Sequence, residues 1–173
     1  TPGSPRKNTF QGGVIYWSPA TGAHVVYGGI SAKYQSLGGP TSLLGLPIAD
    51  EATAANPNAR YTPFQNGSIV WIKATGKTYL YFTRSQMLGL FARVGADGVV
   101  SASEFNTLVY WIGNTAETAM PASVRALAKK VVNGDPGNST HHTLSCTGKV
   151  LITSLGNLHM NSTGSQLAKL VDK

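Results

Sequence analysis

Cys146 with His141, His142 and His159 is the set of side chains in this chain that could do nucleophilic chemistry. Cysteine catalysis needs a thiolate beside a base in a partly exposed, electropositive pocket. A helix starting directly after Cys146 would help lower its pKa, but Thr147 and Gly148 lead instead into the apolar run Lys149-Val-Leu-Ile-Thr153. A lone cysteine is more commonly a small buried hydrophobe. Zinc held by His141, Cys146 and His159 has the right residue types but no recognised spacing. One cysteine also excludes an intrachain disulfide. The paired carboxylates of glycoside hydrolysis reduce to Asp50 and Glu51, sequence neighbours suited to capping a turn. The expectation is a chain with no catalytic residues and no cofactor.

A second constellation lies between residues 93 and 104. Residues 85–92 have helical spacing, with Met87, Leu88, Leu90 and Phe91 towards a core. Ser101 and Glu104 form a capping box for a helix running to about Ile112. This helix–loop–helix resembles an EF-hand. A calcium loop of about twelve residues needs oxygen ligands at its first, third, fifth and ninth positions and a bidentate Glu at its last. Asp97, Ser101 and Glu104 take the fifth, ninth and last, and are the calcium candidates. Arg93 and Gly95 occupy the first and third, so two carboxylates are lost and a cation replaces one of them. The expectation is a helix pair kept for packing, without metal.

For binding, the aromatic side chains matter most, and the elements that position them repeat. Phe10-Gln-Gly-Gly-Val-Ile-Tyr-Trp17, ending at Thr21-Gly22, is echoed by Phe64-Gln-Asn-Gly-Ser-Ile-Val-Trp71, ending at Thr75-Gly76. Phe10 and Phe64, Trp17 and Trp71, and Gly22 and Gly76 are all displaced by 54 residues, which marks an internal repeat. Each copy reads as strand, Thr-Gly turn and strand, a β-hairpin. Residues 30–37 follow the first hairpin as about two helical turns, which Gly38-Gly39-Pro40 would stop.

Leu44-Gly45-Leu46-Pro47, followed by Ile-Ala-Asp-Glu51 and then by the second hairpin, resembles the LGFP repeat, with Leu46 where the name-giving Phe would stand. The resemblance covers residues 10–82, one full repeat and the hairpin half of a second. It implies a secreted or envelope protein of mycolic-acid actinobacteria, held to the cell wall through polysaccharide such as arabinogalactan or peptidoglycan.

Along the alternating hairpins some rings must face outward, and flat aromatic faces beside amides are what sugar rings stack on. A small repeat has little else to bury, so Trp17 and Trp71 are expected in the core. The expected ligand-binding residues are then Tyr16, His24, Tyr27, Tyr34, Gln65, Asn66, Tyr79 and Tyr81.

The chain has 173 residues, 12% of them charged and 20 of them Gly, so its surface must be largely Ser, Thr, Asn and Gly. That composition suits a secreted, sugar-facing protein. The net charge is +7. Its cations are scattered rather than clustered, which argues against nucleic acid as partner. No apolar stretch is long enough to span a bilayer. Residues 1–9 read as a Pro/Gly/Ser linker, and the opening reads as that of an excised fragment; if the parent is secreted, its signal sequence is expected upstream.

Pro121-Ala-Ser-Val-Arg-Ala-Leu-Ala-Lys-Lys-Val-Val132 is the clearest helix, with Val124, Leu127, Ala128 and Val131 in an apolar stripe. Residues 143–146 and 149–153 read as short strands, and Thr163-Gly-Ser-Gln166 starts a last helix. This C-terminal region is similar to segments preceding calpain-like protease domains in secreted actinobacterial proteins. The resulting fold class is α+β: a β-hairpin-rich module over residues 1–82 and a mostly helical region over residues 83–173. The expected function is non-catalytic wall binding. The alternatives are a wall hydrolase or cysteine protease fragment using Cys146, or a scaffold for an adjacent catalytic domain of the same parent.

Overall fold

Alternation of side chains across strands, and one helix shared between two hairpins, organise the N-terminal half. The computed structural model describes residues 4–97 and 99–132. The chain divides into two compact units, Thr1–Tyr81 and Phe82–Lys173. The fold is α+β, with antiparallel sheets in the N-terminal repeat region. The expectations for Cys146, His141, His142 and His159, for the strands over residues 143–153 and for the last helix all lie outside the described residues.

In the first unit, β1 (Arg6–Phe10), β2 (Gly13–Ser18) and β3 (Gly22–Tyr27) form an antiparallel sheet in chain order. Phe10 pairs with Gly13 across a tight turn of Gln11 and Gly12. The linker expected over residues 1–9 therefore gives way to an edge strand from Arg6. Every side chain of β1 is exposed, so the strand carries no apolar alternation by which to recognise it. The expected two-residue Thr-Gly turn is also longer in fact. Ser18 pairs with Gly22 around Pro19, Ala20 and Thr21, and Gly22 restarts the strand at φ 82°, a left-handed conformation open to glycine.

Helix α1 (Gly28–Ser36) follows, and ends where Gly38 turns left-handed at φ 102°, as the sequence predicts. Beyond a loop, β4 (Ala52–Thr53), β5 (Ala59–Phe64), β6 (Gly67–Ile72) and β7 (Thr78–Tyr81) make a second antiparallel run in chain order. Here Phe64 pairs with Gly67 around Gln65 and Asn66, the same tight turn as in the first copy.

Helix α1 packs against both hairpins. Its Tyr34, fully buried, meets Tyr16 edge-on at 5.3 Å and Phe64 at 4.4 Å between ring centroids. Val14, Val26, Ile30, Leu44, Ile69 and Leu80 complete this core.

The second unit holds α2 (Arg84–Val94), α3 (Ala102–Gly113) and α4 (Ala122–Val131), with α4 packed on the other two. Both α2 and α3 begin with capping boxes, Thr83 with Gln86 and Ser101 with Glu104. The second was legible in sequence and the first is a finding of the structure. Pro121 stands at the N-cap of α4, and Val124, Ala128 and Val131 face inward as the stripe predicts. Ring contact between Phe82 and Trp111, 5.6 Å apart, joins the core of Met87, Leu90, Phe91 and Leu108. Among the described residues no helix is long and apolar enough to cross a membrane.

Candidate functional site

The motif residues 43–47 form a loop laid on the turn of the second hairpin. The Gln65 amide donates to the Leu46 carbonyl (3.0 Å), and the Leu46 amide donates back to Gln65 Oε1 (2.9 Å). The Asn66 amide donates to Leu44 and its Nδ2 to Leu43, each at 3.0 Å. From α1, the Tyr34 hydroxyl donates to the Gly45 carbonyl at 2.7 Å. Gly45 sits at φ 75°, and a Cβ there would lie 2.4 Å from Gln65 Oε1. Glycine is required twice over, by its backbone angle and by the approach of the glutamine. The loop then buries Leu44 and Leu46 and leaves Ile48 exposed.

The acidic pair after the motif is used in the same way. Asp50 Oδ1 accepts from the Val25 amide at 3.0 Å and lies 3.4 Å from His24 Nδ1, while His24 Nε2 lies 2.7 Å from the Thr21 carbonyl. Glu51 accepts from Arg60 Nε, and the Arg60 guanidinium also reaches the Tyr27 hydroxyl at 3.5 Å. The Glu51 hydrogen bond first, and that of Tyr27 second, raise the Arg60 pKa above its ordinary value. Rather than capping a turn, as expected, the two carboxylates tie β3 and β5 to the segment between them.

Around this ion pair lies a cleft of about 240 Å³, lined by Tyr27, Gly28, Gly29, Ile30, Glu51, Arg60 and Trp71. The indole of Trp71 lies against Gly29, where an added Cβ would come within 3.1 Å of its Cδ1. Tyr27 is exposed and Trp71 half-buried. The cleft thus offers two aromatic rings beside a charged, hydrogen-bonding pair, a combination that binds polar ring compounds by stacking and hydrogen bonding.

The other expected contact residues fall in three places. Tyr79 and Tyr81 are half-buried, and so is Tyr61, which was not among the expected residues. Tyr61 pairs with Val70 and Val70 with Tyr79, so these rings share one sheet face, away from the Phe64 side. Tyr16 and Tyr34 are core residues at 2% and 0% exposure, and present no ring to solvent. Gln65 and Asn66 spend their side chains on the loop of residues 43–47.

The expectation of buried tryptophans is corrected at Trp17, which is exposed with Arg6 5.6 Å above its ring. Tyr16 and Trp17 are neighbours on one strand and must face opposite sides. Val14, Tyr16 and Val26 on the α1 side decided which went in. Trp71 and Arg60 were not among the expected binding residues. Strand alternation puts Trp71 on the face away from Tyr79 and beside Arg60, and a glutamate nine residues before Arg60 was the available signal for the ion pair.

In the second unit, Asp97 Oδ1 accepts from the Val99 amide at 3.1 Å, closing a local turn. Glu104 Oε2 accepts from the amide and hydroxyl of Ser101 at 2.9 and 2.6 Å. One oxygen of each carboxylate is used in a local capping hydrogen bond.

A family model described as the LGFP repeat matches residues 1–42 and again residues 44–95, together more than half of the chain. The second match runs on through α2, which extends the expected half repeat to a hairpin with its following helix. No curated protein matches the chain.

Proposed function

The chain belongs to the LGFP repeat family, and on that premise we propose that residues 1–82 are a non-catalytic module that retains its parent protein at the cell wall by binding wall glycan. LGFP repeats are commonly associated with the cell wall, and a targeting role needs a contact surface but no reacting groups. The observation that carries the reading is the cleft lined by Tyr27 and Trp71 together with the Arg60–Glu51 pair. Its volume of about 240 Å³ is below the usual range for drug-sized ligands, about 300–1,000 Å³, and suits one sugar ring of a longer polymer. Stacking on Tyr27 and Trp71 would supply affinity, and Arg60 would donate to hydroxyls that pass the ion pair. The half-buried Tyr61, Tyr79 and Tyr81 form a second, flatter aromatic face.

In this reading the parent is a secreted protein of an actinobacterium, and the polymer is arabinogalactan or peptidoglycan. Co-sedimentation with purified arabinogalactan–peptidoglycan tests it. The full chain is expected to pellet with the wall material, and Tyr27→Ala, which removes an exposed ring, is expected to weaken retention about tenfold. Failure of the full chain to sediment, or full retention by Tyr27→Ala, rejects the assignment.

A further inference from the structure

The two hairpins share a template yet are covered differently. On the second, the face bearing Phe64 and Ile69 is sealed. Both side chains are at 0% exposure, α1 lies against β6 and β7, and residues 43–47 close the turn end. At the matching positions of the first hairpin, Phe10 is 59% exposed and Ile15 is half-buried. Trp17, which matches Trp71, is 37% exposed.

The residues are the same, so their surroundings make the difference. α1 covers the Tyr16 face of the hairpin it follows and the Phe64 face of the hairpin it precedes. The Phe10 face of the first hairpin has no such helix among the described residues.

The hydrogen-bonding groups are duplicated as well. Gln65 engages the 43–47 loop through its amide and Oε1, and Asn66 through its amide. Gln11 carries the same amide and side chain, and Gly12 the same amide. Both residues are exposed, with no hydrogen-bond partner among the described residues.

We infer that the Phe10 face is an acceptor for the helix and Leu-Gly-x-Pro loop of another repeat, which binds it as α1 and residues 43–47 bind the Phe64 face. An end unit of a repeat array carries a polar outer face, whereas this one carries Phe10, Ile15 and Trp17. Gly12 stands where Asn66 stands in the second copy, so the bond equivalent to Asn66 Nδ2–Leu43 O cannot form there.

Copying residues 28–58 directly ahead of Pro5 in the full chain reproduces the spacing of α1 and its loop from Phe64, now relative to Phe10. Amide exchange at Gln11 and Gly12 is expected to slow at least tenfold, with a shift of the Trp17 indole resonance. Gly45→Val in the copied segment alone should return both to their starting values, because the left-handed angle and the approach of Gln11 need glycine. As a second measurement, a peptide of residues 28–50 added to the unmodified chain should move the same resonances. Unchanged exchange and no peptide-induced shifts overturn the inference. So does protection in the unmodified chain that grows with its concentration, which would make a second copy the occupant. Loss of wall retention in Trp17→Ala with full retention in Tyr27→Ala also overturns it, by giving the face to glycan.

Discussion

Tyr34 joins the most parts of the first unit: its ring touches both hairpins and its hydroxyl holds the motif loop. Tyr34→Phe keeps the ring contacts and strands the buried Gly45 carbonyl, a loss of about 1–3 kcal/mol. A lowered urea midpoint with unchanged m-value is the expected observation. Gly45→Ala acts from the other side of the same bond. It forces a side chain into φ 75° and against Gln65 Oε1, and backbone strain of this kind costs about 1–3 kcal/mol before any steric term. Tyr16, against Tyr34, gives a pH dependence. Burial raises its pKa, so the fold favours the neutral phenol. The folded state therefore keeps a proton that the unfolded chain has already lost. Stability is full below the unfolded value, about 10, and declines as pH rises through the folded value. Tyr16→Phe should lose less stability than the parent chain between about pH 9 and 11, measured by urea midpoints at each pH. Equal losses would mean that the phenol is not held neutral by the core.

The same logic holds for whole elements, where the capping boxes are the clearest test. Ser101→Ala removes the acceptor for the Glu104 amide and the donor to its carboxylate. The expected cost is about 1 kcal/mol, and added calcium is expected to leave the melting temperature of either chain unchanged. A calcium-dependent rise would return Asp97 and Glu104 to metal binding. That helix start was legible because Ser-x-x-Glu ahead of an apolar run is a local signal. The two hairpins were legible because the repeat states them twice, and α1 because Gly38-Gly39-Pro40 marks its stop. β1 was hidden because an exposed edge strand shows no alternation. The inward turn of Tyr16 was hidden because both faces of β2 carry large apolar residues, and the choice depends on where α1 returns. The roles of Gln65 and Asn66 depended on a loop some twenty residues away in sequence. The candidate cleft was partly legible: Tyr27 was an expected contact residue, while Trp71 and Arg60 enter the cleft only through the pairing of strands.

At the scale of the molecule, charge and ring stacking are competing explanations for attachment to a wall, and they separate by salt. The net charge is +7, and Arg6, Lys7, Lys73 and Lys77 are all exposed. A polyanionic wall polymer would attract such a surface at long range. That attraction is screened within about 10 Å at 0.1 M salt and about 3 Å at 1 M. Stacking on Tyr27 and Trp71 acts at contact distance and is nearly indifferent to ionic strength. If the cleft carries retention, wall binding should fall less than about threefold between 0.1 and 1 M NaCl. Tyr27→Ala should lower it at both concentrations by a similar factor. If instead 1 M salt releases the chain and Tyr27→Ala behaves like the parent at low salt, attachment is by charge. The cleft then has some other ligand. The scattered placement of the cations favours the first outcome, because steering by diffuse charge raises encounter rates more than it holds a complex together.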